Sequence, residues 1–152
     1  KTINRGHRVE DFFKAVDLTR GRGINICAHV ILGLPGEDRK MMLQTAKMLA
    51  DSHINGVKIH LLYVIKGTRL DQMWKNGDYF PMDQEEYVNR VCDFLELLPK
   101  RIIIQRITGD PHSDELRAPL WAGRYRETFN MIQTTLENRD TFQGKRYKKK
   151  GK

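Results

Sequence analysis

An α/β fold with parallel strands is what this sequence predicts, and three observations predict it. Apolar, β-rich runs at 25–33, 57–63 and 101–107 alternate with stretches of helical periodicity. The connecting stretches are long enough to hold the crossover helices that parallel pairing needs. The first run, Asn25 to Gly33, passes through Leu34-Pro35-Gly36 into Glu37, so a buried strand delivers a tight turn to a helix start. Ligands of α/β proteins bind at such strand ends. Three strands are few for a closed sheet, so they fit half of a barrel or open sheet completed by missing N-terminal strands. The chain opens at Lys1, without Met, in the loop-like sequence NRGHR, and we expect a fragment with something essential upstream.

Taken in order, Val9, Phe12, Phe13 and Val16 recur at helical spacing and predict a first helix with one buried face, stopped by Gly21 and Gly23. The first strand follows. A second helix is expected from Glu37 to about Ser52, with Glu37 and Asp38 in its first turn, where the helix dipole favours acids. Met42, Ala46, Leu49 and Ala50 form its apolar stripe. Asn55-Gly56 turns into the second strand, Val57 to Tyr63. Lys66-Gly67-Thr68 then leads to a short helical piece, Arg69 to Lys75, closed by Asn76-Gly77. Asp83 and Glu86 have capping-box spacing ahead of a helix whose buried face is Val88, Val91, Cys92, Leu95 and Leu98, ended by Pro99. The third strand is Arg101 to Ile107, the segment 108–119 is a polar loop, and a last helix places Tyr125, Phe129, Ile132 and Leu136 on one face. Order is expected to end at Gly144.

A length of 152 residues suits one domain with a real core, and 39% apolar with 30% charged residues reads as globular. The longest apolar run is too short to cross a bilayer and no signal peptide is visible, so a cytoplasmic protein with no membrane partner is expected. Residues 145–152 (KRYKKKGK) carry six of the eight net positive charges. They form a basic, disordered tail after a body of 1–144, and a tail of this kind either stays solvated or contacts RNA phosphates. Cys27 and Cys92 belong to no CxxC or CxxxCxxC and read as core thiols, so no metal or cluster ligand set is expected in this chain.

Successive strand residues face opposite sides, so Cys27, His29, Ile31 and Gly33 share one face, and Lys58, His60 and Leu62 share another. If both faces point inward, His29, Lys58 and His60 converge on a polar pocket; taken singly, each His fits a satisfied core histidine and Lys58 fits snorkelling to solvent. Gly33 to Glu37 either lets backbone approach a ligand or is an ordinary strand-to-helix turn; it is neither a Walker loop nor GxGxxG. Arg106 stands where a barrel strand delivers a clamp for carboxylate or phosphate. Asp110, His112 and Asp114 read chiefly as turn and helix caps, with a metal loop as the alternative. Trp74 and Trp121 are explained equally by packing and by stacking on nucleobases.

HVILGLPGE (29–37) resembles the fifth-strand motif of radical S-adenosylmethionine (radical SAM) enzymes, loosely G-x-I-x-G-x-x-x-E, with Ile31, Gly33 and Glu37 in place and His29 where Gly or Asp is usual. INRGH resembles the segment after the fourth strand of that group, and VKIHLLYVIKGTRL its sixth strand and KGT turn. RITGDP, APLW and RDTFQGKRY are similar to the closing segments of the YhcC/YtqA subgroup, related to Elp3-like and coproporphyrinogen-dehydrogenase-like proteins. The resemblance covers essentially the whole chain. It implies the C-terminal half of a partial (β/α)6 TIM-like barrel with parallel strands, plus a C-terminal helix and the basic tail. It implies S-adenosylmethionine (SAM) and a 4Fe-4S cluster held by a CxxxCxxC loop that is absent here, so the isolated fragment is expected to be inactive. The cluster's electron would cleave SAM to a 5′-deoxyadenosyl radical that abstracts hydrogen from substrate, and an electron donor such as flavodoxin or ferredoxin is implied.

By position, the resemblance puts Ile31 and Gly33 on the adenine, Leu62 and Tyr63 near its edge, and leaves His29, Lys58, His60 and Arg106 for substrate positioning or proton transfer. The implied partners are the missing N-terminal half of the barrel and tRNA, through wobble-uridine modification. Two other classes stay open: an RNA- or protein-binding module without catalysis, and a barrel-type hydrolase using Asp110, His112 and Asp114.

Overall fold

The computed structural model describes residues 5–109, 111–112 and 114–149. Its elements in order are α1 (Val9–Thr19), β1 (Cys27–Leu32), α2 (Arg39–Ala50), β2 (Gly56–Leu61), β3 (Val64–Ile65), α3 (Arg69–Lys75), α4 (Gln84–Leu97), β4 (Ile103–Arg106), β5 (Leu116–Ala118) and, after a 3₁₀ turn at Leu120–Gly123, α5 (Tyr125–Asn138). Strands β1, β2 and β4 lie side by side in that order, all parallel, with α2 filling the first crossover and α3 and α4 the second. This is the α/β architecture with a parallel sheet that the alternation predicts.

One face of the sheet carries the core. Ala28 and Leu32 of β1 and Val57, Ile59 and Leu61 of β2 are buried against Met42, Ala46 and Leu49 of α2 and Tyr87, Val88 and Val91 of α4, with Ile132 of α5 closing the far side. Each such side chain contributes about 1.5–3 kcal/mol by leaving water. Arg101 fixes the loop beneath the sheet, donating to the carbonyls of Ala50, Ser52 and Ile54 at 2.8–3.2 Å, the first of them at the end of α2.

Five expectations are corrected. Helix α2 starts at Arg39, with Asp38 as its N-cap accepting from the Met41 amide. Glu37 stays outside because its carboxylate is used by backbone of the preceding turn. In α5 the buried side is Thr128 and Ile132, while Tyr125 and Phe129 stack on each other at the exposed edge with centroids 6.4 Å apart. In α1 only Val16 is buried; Val9 is 50% exposed because nothing among the described residues covers that end.

The fourth concerns residues read as turn and loop. They contain a small antiparallel sheet, β3 against β5, over a second cluster of Val64, Tyr79 and Ala118. Order also runs past Gly144. The Gly144 amide donates to the Leu95 carbonyl, the Arg146 amide to the Glu96 carbonyl, and Tyr147 packs on the main core, so residues 145–147 belong to the body and not to a tail. No helix among the described residues is long and apolar enough to cross a membrane.

Candidate functional site

The turn after β1 is held by three hydrogen bonds from two side chains. The Glu37 carboxylate accepts from the amides of Gly33 and Leu34 at 2.9 and 3.1 Å, and the Tyr79 hydroxyl donates to the Gly33 carbonyl at 2.9 Å. Gly33 has φ +90°, and a Cβ there would lie 2.8 Å from the Met82 methyl carbon. Glycine is thus required both by conformation and by packing. Burial pushes the Glu37 carboxyl up in spite of its two amide donors, and burial with Glu37 nearby pushes Tyr79 up to about 12. Tyr79 and Met82 were invisible to sequence reading, since a side chain 46 residues from its partner has no local signal. A cleft of about 440 Å³ opens beside this turn towards residues 77–82, with Phe80 78% exposed at its rim.

The face of the sheet opposite the core is polar and open. Strand alternation and register put His29 beside Lys58, Ile31 beside His60, and Lys58 beside Arg106. The His29 and His60 rings stack with centroids 5.6 Å apart and 24° between planes. A bulge at Val57/Lys58 leaves Gln105 as an extra residue in β4, and Arg106 acts electrostatically on His60 from the same side. Gly56 makes room here: a Cβ would lie 3.1 Å from the Gln105 amide nitrogen and 3.6 Å from the Cys27 sulfur. Desolvation, then His29, Arg106 and Lys58, lowers the His60 pKa, and His60 Nε2 is buried without a partner. Structure therefore brings His29, Lys58, His60 and Arg106 onto one face, with Ile31, 44% exposed, at its C-terminal end.

The remaining residues fall elsewhere. Gly33 faces Met82 and Tyr79. Leu62 continues the ladder, its amide donating to the Leu32 carbonyl, and packs half-buried on the second cluster. Tyr63 packs on the main core and against Gly109, where a Cβ would come within 2.6 Å of its ring. Trp121 donates its indole N–H to the Met82 carbonyl and packs beside Tyr87, and Trp74 packs on the second cluster, so packing accounts for both. Asp110 lies outside the described residues. The His112 carbonyl caps the next turn by accepting from the amides of Glu115 and Leu116.

Among the described residues, those that could hold a cofactor gather at the C-terminal end of β1. An uncovered Ile31 at the strand end, flanked by polar groups, suits a flat apolar ring. Among the described residues no group of three or more His, Cys, Asp or Glu side chains is gathered to hold a metal. Burial raises both thiols, Cys92 to about 11, and Cys92 donates to the Ile132 carbonyl in the core.

With its parallel sheet, one face packed under helices and the other open and polar, this chain has the architecture of part of a radical SAM barrel. The Elp3 of Methanocaldococcus infernus with an N-terminal deletion superposes with TM-score 0.77 at 26% identity, over 92% of this chain and 33% of that one. The family model for the Radical_SAM C-terminal domain matches residues 54–138, and the chain belongs to that family. YtqA of Bacillus subtilis is 42% identical over 143 residues, covering 94% of this chain and 44% of YtqA. A tRNA uridine(34) acetyltransferase of Methanocaldococcus jannaschii is 36% identical over 109 residues, covering 70% of this chain and 20% of that protein. The chain thus spans less than half the length of these relatives.

Proposed function

We propose that this chain is the C-terminal part of a radical SAM enzyme that modifies tRNA at a wobble uridine. The observation that carries the reading is the open sheet face. It gathers His29, Lys58, His60 and Arg106 around an uncovered Ile31, in a chain of the Radical_SAM C-terminal domain family. Relatives named for tRNA uridine(34) acetylation support the substrate class. In this reading the 4Fe-4S ligands lie in the rest of a longer cytoplasmic protein, whose N-terminal strands complete the barrel, and a flavodoxin- or ferredoxin-type donor supplies the electron.

Bound SAM would supply a 5′-deoxyadenosyl radical as the hydrogen-abstracting agent. This chain's own residues bind and orient. Ile31 gives an apolar seat at the strand end, and the Glu37–Gly33–Tyr79 hydrogen bonds hold that seat rigid. Lys58 and Arg106 set the charge of the face, and with His29 they help hold the His60 pKa down.

The test is anaerobic purification of the full-length protein. Bound iron and sulfide with release of 5′-deoxyadenosine under reduction is the expected result, together with loss of that release in Ile31→Asp. A colourless, iron-free protein after reconstitution would sink the proposal. A binding module without chemistry is the second reading, favoured by the exposed Lys148 and Lys149; salt-sensitive RNA binding with no SAM cleavage would select it.

A further inference from the structure

The open face of the sheet is a row of basic groups without a counter-charge. His29, Lys58 and Arg106 are cross-strand partners in turn, so they cross β1, β2 and β4 in one line with Lys58 at the centre. His60 sits two residues beyond Lys58 and stacks on His29. None of the three strands contains Asp or Glu, and among the described residues neither Lys58 nor Arg106 forms an ion pair. Charged groups elsewhere in the domain are treated differently: the buried acids Asp93 and Glu96, each 6% exposed, take arginine partners.

Like charges gathered on a sheet repel, and that arrangement becomes favourable when an anion enters. His60 Nε2 beside this row is shielded from solvent and finds no partner in the protein. The β4 bulge has a use in this account, since it brings Arg106 onto the same side as Lys58 and His60 where strict alternation from the core-facing Ile104 would turn it away.

Resting on the radical SAM reading, we infer that this row is a binding site for a phosphate group of the substrate, with Lys58 and Arg106 supplying charge and the stacked His29 and His60 rings beside them. Arg presents a planar fork to the oxyanion and Lys a point charge, a division common at phosphate sites. The inferred role is positioning: the phosphate fixes the nucleotide so that its base reaches the C-terminal end of β1.

The experiment follows the ring resonances of His29 and His60 by NMR in protein labelled at histidine, with inorganic phosphate, acetate, uridine 5′-monophosphate and uridine as probes. Saturable shifts at both rings with phosphate and uridine 5′-monophosphate, and none with uridine, are expected; acetate should be weaker. Lys58→Gln and Arg106→Gln should each weaken binding about tenfold while the protein stays folded by circular dichroism. Three outcomes overturn the inference: no shift in folded protein, phosphate binding unchanged in both variants, or displacement of phosphate by SAM, which would assign the row to the cofactor's carboxylate. Neither cluster nor radical enters this readout. An iron-free protein would therefore remove the enzyme reading and leave the phosphate result standing, and the reverse also holds.

Discussion

Gly33 shows how much a single residue carries at the end of β1. Its φ of +90° excludes most side chains, and the Met82 methyl carbon occupies the space where a Cβ would go, 2.8 Å away. Gly33→Ala is expected to lower stability by about 2 kcal/mol, measured by urea unfolding, through left-handed strain and displacement of Met82. Adding Met82→Ala should recover part of that loss if the clash is real; an unchanged loss would put the whole cost on backbone conformation. At this scale the sequence spoke clearly about which strand residues share a face, because alternation is strict in β1 and β2. It was silent about Tyr79 and Met82, whose contacts to Gly33 are tertiary. It misplaced Glu37, because an acid at a helix start and an acid folded back onto the preceding turn look identical in one dimension.

Between elements, one carboxylate joins three helices. Asp93 of α4 accepts from Arg39 of α2 at 2.8 Å and from Arg139 just beyond α5 at 2.9 Å. Burial by itself would raise the Asp93 carboxyl, but the two arginines outweigh it and hold it below the usual carboxylate value. A depressed folded pKa means that stability from this group is present above the unfolded value and is lost as pH falls through the folded one. Acid unfolding should therefore steepen below about pH 3.8, the unfolded value. Asp93→Asn should flatten that limb and lower stability at pH 7 by about 2 kcal/mol, a figure reduced for the partial exposure of both arginines. An unaltered acid limb would show that the helices are tied by apolar contacts alone. None of this network was foreseen from sequence. Charges with helical spacing read as a solvated face, and only the packing of α2, α4 and α5 reveals that Asp93 is interior. The same limit hid β3 and β5, since strands of two and three residues are too short to show a period.

For the whole molecule the main division is between a sheet face closed by helices and one left open to its own polar side chains. The alternation of elements announced the first. The second was legible in part, since alternation already set His29, Lys58 and His60 towards one pocket, and register added Arg106 in line with them. The C-terminal segment tests where the body stops. Gln143 donates to the carbonyls of Pro99 and Ile102, Arg146 pairs with Glu96 at 3.2 Å, and Tyr147 covers the core, whereas Lys148 and Lys149 are exposed. Basicity and order therefore separate within one short run that composition treats as uniform. Two double variants divide them. Arg146→Ala with Tyr147→Ala should lower the melting temperature by several degrees, as expected for a loss of about 1–2 kcal/mol, and leave RNA affinity at low salt nearly unchanged. Lys148→Ala with Lys149→Ala should leave the melting temperature unchanged and reduce the dependence of RNA binding on salt, by a slope of about 0.7 for each phosphate no longer neutralised. If the second pair has no effect on RNA binding, nucleic acid must reach this protein through the open sheet face or another part of the longer chain, and the exposed lysines serve only as a solvated end.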